Sequence, residues 1–311
     1  MPEFVHQPVM AGAVAELLGP VPPGLIVDAT VGGGGHARIV LEARDDVRVL
    51  GIDRDPDAVA ASRDALAGFG RRARVVRGGF EDLAGIVSTE GEGNIVGILF
   101  DLGVSSPQLD RPERGFSYWA DAPLDMRMDS AQELTAAEVV NTYSEDDLAA
   151  IIASNGEERF ARRIARAIVA GRPLTTTKDL VDAVRGGIPA PARRRGRHPA
   201  RRTFQAIRME VNRELPNLAA GLDESVHLLT PGGRILVIAY HSLEDRLVKH
   251  RFSAWAGRED TEPAGMPVMR PRNPLVRILT RRPRRPGPDE VTANPRSESA
   301  RLRAAEKVQP S

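Results

Sequence analysis

The stretch Asp28-Ala-Thr-Val-Gly32-Gly-Gly34-Gly35-His36 decides the fold of this 311-residue chain. The short apolar run Gly24-Leu-Ile-Val27 precedes it, and the helix-like run Ala37-Arg-Ile-Val-Leu41 follows it. A strand, a glycine-rich turn and a helix in this order bring the backbone close to a nucleotide cofactor. The sequence therefore predicts a cofactor loop. The spacing Gly32-x-Gly34-x-x-Ala37 also fits the dinucleotide-binding pattern, so the identity of the cofactor is a separate question.

Apolar runs and helical patterns alternate through the first hundred residues. Strands are predicted at 25–29, 47–52, 73–77 and 95–100, and helices at 36–43, 56–67 and 80–88. Strands that are separated by helical crossovers form a parallel sheet with helices on both faces. The predicted fold class is therefore α/β with a doubly wound sheet.

The alternation stops after the fourth strand. Residues 102–132 have the composition of a loop, and 133–187 are helical in pattern, including one amphipathic helix from Glu157 to Ala170. A connector rich in Pro and Arg at 188–202 leads to a long helix from about Thr203 to Leu229. These residues predict a helical insert within the sheet.

Strand patterns return near the end of the chain. Ile235–Ala239 is predicted as the fifth strand, and Val276–Thr280 and Ala300–Ala305 are predicted as a hairpin that places one antiparallel strand in the sheet. The predicted organisation is a core in two parts, 1–108 and 203–311, with a helical insert at 109–202.

Composition excludes several classes of protein. With 41% hydrophobic and 27% charged residues, the chain has the composition of a globular protein. No run approaches the ~18 apolar residues that span a bilayer, and the first residues lack a secretion signal, so a cytoplasmic protein without membrane contact is expected. The absence of cysteine excludes disulfides, Cys-based zinc sites and thiol nucleophiles.

Acidic residues at predicted strand ends help to decide which cofactor the loop binds. Asp53 lies 19 residues beyond Gly34, where an acid hydrogen-bonds ribose hydroxyls in dinucleotide folds, but S-adenosylmethionine carries a ribose too. Asp28, directly before the glycines, suits the cationic groups of S-adenosylmethionine better than a pyrophosphate. The alternative is that Asp28 forms the turn and Asp53 caps the following helix. A nicotinamide-dependent oxidoreductase is disfavoured by Asp28.

Several longer motifs occur in one order along the chain. They are Asp28-x-Thr30-x-Gly32-x-Gly34-Gly35-His36, Asp53-Arg-Asp-Pro56, Asp101-Leu-Gly-Val-Ser-Ser-Pro-Gln-Leu-Asp110, Leu124-Asp-Met-Arg-Met-Asp129, Gly156-Glu-Glu-Arg-Phe160, Arg202-Thr-Phe-Gln-Ala-Ile-Arg208 and His241-Ser-Leu-Glu-Asp-Arg246. Together they resemble the bacterial ribosomal small-subunit methyltransferase H family over nearly the whole chain. Residues 257–273 match no part of that pattern.

The resemblance implies a Rossmann-like class I methyltransferase sheet with an inserted helical domain. It further implies S-adenosylmethionine as cofactor, no metal, and methylation of the exocyclic N(4) of a cytidine in the decoding region of 16S rRNA within the small ribosomal subunit, by a protein that can form a homodimer. The implied cofactor contacts are Gly34, Gly35, His36, Asp53, Phe80, Asp101 and Gln108. For His36, the alternative is an ordinary residue at a helix N-terminus.

The exocyclic amine of cytosine is a poor nucleophile, so transfer depends on in-line placement and on acceptors that polarise the amine. Asp101, Ser105 and Ser106, after the fourth strand, are the candidate catalytic residues, although the serines can equally form a turn. His241 and Glu244 rank second, and Glu244 can instead cap a helix. Without cysteine, the covalent route to methylation of pyrimidine carbon 5 is excluded.

Two features of the predicted insert at 109–202 indicate that it recognises RNA. The run Arg193-Arg-Arg195-Gly-Arg197-His198-Pro-Ala-Arg201-Arg202 can attract phosphates or serve as a solvated linker. Tyr118 and Trp119 can stack on a flipped base or be buried in the protein. A ribosome-assembly factor that uses a methyltransferase fold to bind RNA is the alternative function.

Overall fold

The computed structural model describes residues 8–90, 93–104, 108, 111–193, 198–258 and 273–309. The chain divides into two compact units. The first unit comprises Met1–Gly103 and Leu215–Ser311, and the second comprises Val104–Glu214. No helix among the described residues is both long enough and apolar enough to traverse a lipid bilayer.

The described part of the first unit contains a seven-stranded sheet in the order β3-β2-β1-β4-β5-β7-β6. Its strands are β1 (Gly24–Asp28), β2 (Val47–Asp53), β3 (Ala73–Arg77), β4 (Ile95–Asp101), β5 (Leu229–Ala239), β6 (Val276–Ile278) and β7 (Arg301–Lys307). Strands β1 to β5 pair in parallel, and β7 is antiparallel to both β5 and β6. The predicted doubly wound sheet and its terminal hairpin are confirmed.

Helices cover the sheet in the first unit and make up most of the second. They are α1 (Ala11–Leu18), α2 (Gly35–Ala43), α3 (Pro56–Leu66), α4 (Leu83–Glu90), α5 (Ala136–Thr142), α6 (Glu145–Gly156), α7 (Ala161–Ala170), α8 (Thr177–Gly187), α9 (Ala190–Arg193), α10 (Arg201–Asn212), α11 (Glu214–Leu228), α12 (Ser242–Trp255) and α13 (Pro288–Ala293). Short 3-10 helices lie at Ala67–Arg72, Phe80–Asp82, Pro112–Arg114 and Pro295–Ser299. The sequence did not predict α13, which lies between β6 and β7.

The central strands are apolar because both of their faces are covered, as is usual in parallel sheets. Every residue of β4 before Asp101 is buried, and Asp101 at its end is partly exposed. Two separate apolar layers lie on the two faces of the sheet, one around Leu41 and Leu236 and one around Phe100 and Trp255. This packing fixes the positions of the strand ends.

The second unit has its own apolar core, which includes Ile152, Ile164 and Phe204. Two of its helices begin at side-chain caps. Ser144 accepts a hydrogen bond from the backbone of Asp147, and Thr176 forms a capping box with Asp179.

Two predicted helices are each interrupted by a residue in the left-handed conformation. Glu157, with φ 47°, ends α6, so the predicted helix from Glu157 to Ala170 begins only at Ala161. Arg213, with φ 50°, separates α10 from α11, so the single helix predicted from Thr203 to Leu229 is wrong. Because α10 packs into the core of the second unit through Phe204 and Ile207, that unit extends to Glu214, beyond the predicted boundary at Arg202.

Candidate functional site

Three carboxylates lie at the ends of three neighbouring strands. Asp53 ends β2, Asp28 ends β1 and Asp101 ends β4, and these strands are adjacent and parallel. The carboxyl ends of parallel strands share one edge of a sheet, which is where open α/β sheets bind their ligands. The structure thus brings together the three acids that the sequence singled out.

Asp53 holds the glycine loop in place. Its Oδ2 accepts a hydrogen bond from the Gly32 N–H at 3.0 Å, and its Oδ1 accepts one from the Asp55 N–H at 3.0 Å. Burial raises the pKa of Asp53 above its usual value. The N-cap of α3 is Asp55, whose carboxylate accepts from the Asp57 N–H at 3.1 Å. The alternative in which Asp53 is merely the helix cap is therefore wrong.

The glycines of the loop have different roles. Gly34 has φ 81°, a conformation that favours glycine, and a Cβ there would lie 3.3 Å from Leu66 Cγ. A Cβ on Gly35 would lie 3.1 Å from Pro8 Cγ. No described atom lies within 4 Å of the position of a Cβ on Gly33. Gly34 and Gly35 therefore shape the loop, and Gly33, which sequence reasoning passed over, leaves room beside the backbone.

The Asp101 carboxylate has a partner on each oxygen. Its Oδ1 accepts a hydrogen bond from the Tyr240 hydroxyl at 2.8 Å, and its Oδ2 lies 3.3 Å from His36 Nε2. The Asp101 N–H donates to the Thr30 hydroxyl at 2.6 Å. His36 lies in the first turn of α2 and is buried. These contacts fix Asp101 and tie β4 to the end of β5.

Two ionisable side chains in the buried part of this network, Asp28 and His36, have shifted pKa values. Burial raises the pKa of Asp28 to about 7, although the nearby His36 opposes the shift. Burial disfavours protonated His36, but Asp101 and Asp28 outweigh it and raise the pKa of His36 above its usual value. Asp28 Oδ2 and His36 Nδ1 are buried and have no hydrogen-bond partner among the described residues. Buried polar atoms usually have partners, so these two atoms indicate a ligand site.

Phe80 lies at the start of the 3-10 helix that follows β3. Its ring meets that of Phe100 edge to face, with centroids 5.6 Å apart, and the Arg54 guanidinium lies 5.6 Å from its centroid. Gln108 belongs to the second unit and is buried. Ser105 and Ser106 lie outside the described residues.

The second-rank candidates His241 and Glu244 form a capping box at the start of α12. Glu244 Oε2 accepts from the N–H groups of Tyr240 at 2.8 Å and His241 at 3.2 Å, so the helix-cap alternative holds for Glu244. Sequence reasoning missed Tyr240. Its position directly after β5, beside β4 in the sheet, was the signal that could have found it.

Replacing Tyr240 with phenylalanine is expected to weaken cofactor binding by roughly tenfold. The variant keeps the ring but removes a hydrogen bond to a charged group, which is typically worth about 1.5–3 kcal/mol. Titration calorimetry with S-adenosylmethionine measures the effect. Tyr143→Phe is the matched control, because it removes a similar bond, from the Tyr143 hydroxyl to Glu210 at 3.2 Å, within the second unit. Equal affinities for the two variants would contradict a role for Tyr240.

The sheet order, with its antiparallel β7, and the acidic strand ends beside a glycine loop define the core of a class I methyltransferase. The family model described as the MraW methylase family matches residues 3–308. The chain belongs to the MraW methylase family.

Three relatives of this chain share the same name. A "Ribosomal RNA small subunit methyltransferase H" from Acidothermus cellulolyticus is 52% identical over 314 residues, which cover 99% of this chain and 95% of that protein. Proteins with the same name from Symbiobacterium thermophilum and Mycobacterium sp. (strain KMS) are each 50% identical. The alignments cover 98% of this chain and 98% of the first, and 97% of this chain and 84% of the second.

The chain is therefore an enzyme, a methyltransferase whose methyl donor is S-adenosylmethionine. The residues present fit that cofactor. The unpartnered Asp28 oxygen suits a cationic ligand, and the open position beside Gly33 allows a ligand to approach the backbone.

Proposed function

We propose that this enzyme methylates the exocyclic N(4) of a cytidine in the decoding region of 16S rRNA, within the small ribosomal subunit. The observation that carries the proposal is the set of three strand-end carboxylates, with Asp101 held between Tyr240 and His36. The names of the relatives support ribosomal RNA as the substrate. The absence of cysteine supports an amine target, because carbon-5 methylation of pyrimidines generally proceeds through a cysteine.

S-adenosylmethionine, when bound, supplies an electrophilic methyl group. In the proposal, Asp53 accepts hydrogen bonds from the ribose hydroxyls, and Phe80 forms a wall for the adenine. Asp28 and His36, which have unpartnered buried atoms, face the charged methionine end. Gly34 and Gly35 keep the loop in the shape that binding requires.

The chain must also assist a weak nucleophile. Asp101, with Ser105 and Ser106 after it, is proposed to accept hydrogen bonds from the target amine and so favour the developing positive charge. Tyr240 and His36 hold the Asp101 carboxylate in one orientation, which reduces the reorganisation that the reaction requires. The side chain of Asp101 remains 22% exposed, which leaves part of it accessible to a substrate.

Methyl transfer to small subunits from cells that lack this enzyme tests the proposal. We expect mass spectrometry of the digested rRNA to detect N(4)-methylcytidine at one position. Asp101→Ala should lower turnover at saturating cofactor by about 100-fold or more, the scale seen when a transition-state hydrogen-bonding group is removed. Asp64→Asn, a change at an exposed carboxylate of α3, is the control.

Two outcomes would contradict the proposal. A methyl group on another atom would refute the assigned target. Binding of rRNA without any transfer would favour the assembly-factor alternative. The proposal also places the reaction in the cytoplasm and includes a homodimer, which sedimentation of the purified protein tests.

A further inference from the structure

Four aromatic rings of the second unit form a series from its core to its surface. Phe204 is buried and meets Tyr118 edge to face, with centroids 5.7 Å apart. Tyr118 stacks on His198 at 4.6 Å with an interplanar angle of 12°, and Trp119 lies 4.7 Å from His198. Trp119 ends the series and is 77% exposed. We call Tyr118, His198 and Trp119 the ring platform.

The chain on either side of Trp119 is held by hydrogen bonds. The hydroxyl of the buried Thr177 donates to the Ala120 carbonyl at 2.5 Å and accepts from the Ala122 N–H at 3.0 Å. The Thr177 N–H in turn donates to the Ala122 carbonyl at 2.8 Å. The Trp119 N–H donates to the Ser117 hydroxyl at 3.2 Å. An exposed indole on an anchored loop loses little freedom on binding, which favours a recognition role.

The surroundings of the platform are basic. Arg185 is exposed and close enough to act on His198, since burial, and then the Arg185 charge, lower the pKa of His198 below its usual value. The neutral imidazole can therefore stack as an uncharged ring at neutral pH. The arginine-rich run identified in the sequence leads directly into His198, and Arg202 beyond it has a side chain that is 57% exposed.

We propose that the ring platform stacks on an unpaired base of the RNA substrate, with Trp119 as the contacting ring and the neighbouring arginines facing phosphates. This inference rests on the proposed function, since it assigns the RNA a contact point on the second unit. Aromatic rings flanked by basic side chains are the usual means of holding single-stranded nucleic acid, because every base has a π face and every nucleotide a phosphate. An apolar protein partner suits a single exposed indole, with the exposed Arg185 near His198, less well.

Tryptophan fluorescence provides a direct test. The chain has two tryptophans, and Trp255 is fully buried, so a base that stacks on the protein surface should quench Trp119. We expect an unpaired RNA oligonucleotide to quench the wild-type enzyme and a blunt RNA duplex of equal length to do so far less. In Trp119→Phe the quenching should disappear while RNA binding is kept within a few fold, because phenylalanine preserves a stacking ring.

The alanine variant measures the contribution of the ring. Trp119→Ala is expected to weaken binding of the unpaired RNA roughly tenfold, within the range found for loss of one stacked base. Its affinity for S-adenosylmethionine should be unchanged, because the cofactor residues Asp28, Asp53 and Asp101 belong to the first unit. Because the second unit has its own apolar core, an unchanged circular dichroism spectrum and thermal unfolding profile are needed to show that the variant is folded.

The results separate this inference from the proposed function. Absence of quenching by unpaired RNA, or equal RNA affinity of Trp119→Ala and wild type, would overturn the platform even if the enzyme methylates small subunits normally. Quenching by the isolated proteins of the small subunit, but not by unpaired RNA, would also overturn it and indicate contact with a ribosomal protein. A third outcome is that unpaired RNA quenches the wild type and binds Trp119→Ala more weakly, yet the wild type transfers no methyl group. That outcome would retain the platform and refute the proposed function.

Discussion

Replacing Asp53 with alanine is expected to weaken S-adenosylmethionine binding by about 100-fold or more. In the proposed site its carboxylate accepts two hydrogen bonds from the ribose, and bonds to a charged group are worth about 1.5–3 kcal/mol each. The same carboxylate accepts from the Gly32 N–H, so its removal also releases the glycine loop. Titration calorimetry measures the loss of affinity.

A matched pair of variants controls for charge in this experiment. Asp53→Asn keeps one acceptor oxygen and should fall between the wild type and Asp53→Ala. Asp64→Asn makes the same chemical change on the exposed surface of α3 and should bind the cofactor normally. If Asp53→Ala folds and retains wild-type affinity, the ribose contact is refuted.

Replacing Asp28 with asparagine is expected to have opposite effects on stability and binding. The pKa of Asp28 is raised from 3.8 to about 7 by burial, so the folded cofactor-free protein holds a proton more tightly than the unfolded chain. Stability is therefore lost as the pH rises from about 4 to about 7, by up to about 4 kcal/mol at 1.36 kcal/mol per pKa unit. Asparagine cannot ionise and avoids this loss.

Denaturant unfolding at about pH 8 and about pH 5 tests the prediction. Without cofactor, Asp28→Asn should be more stable than the wild type at the higher pH, and the difference should shrink at the lower pH. With S-adenosylmethionine the order should reverse, because the variant lacks the carboxylate that faces the cationic ligand. Asp46→Asn is the control, since Arg44 lowers the pKa of that exposed acid and its loss should not stabilise the protein at high pH. A pH-independent difference for Asp28→Asn would show that the carboxylate is already ionised.

The sheet could be predicted because its signals are local. Each of the first four strands is a short run that ends in a turn or an acid. The three of them that lie inside the sheet, β1, β2 and β4, are largely buried, so burial and sequence pattern agree there. The helix breaks at Glu157 and Arg213 could not be predicted in this way. Both residues adopt positive φ although neither is glycine, so no local sequence preference marks the break.

The site was predictable in part. Residues at strand ends, such as Asp28, Asp53 and Asp101, could be placed because the parallel order fixes which ends share an edge. Tyr240 was missed because its role depends on β5 lying beside β4, and residues 102–228 separate these two strands in the sequence. The contact of His36 with Asp101 depends on a different long-range pairing, that of β1 with β4. The ring platform combines Tyr118 with His198, whose contact no local pattern indicates.

The position of β7 has a consequence for how this protein is made. Arg301–Lys307 lies between β5 and β6, so β6 cannot join the sheet until Arg301–Lys307 has been translated. Until then the nascent chain carries β5 as an open edge, and such edges pair readily with other molecules. A premature stop codon just before Arg301 would leave every strand-end acid encoded, yet yield a polypeptide prone to aggregate.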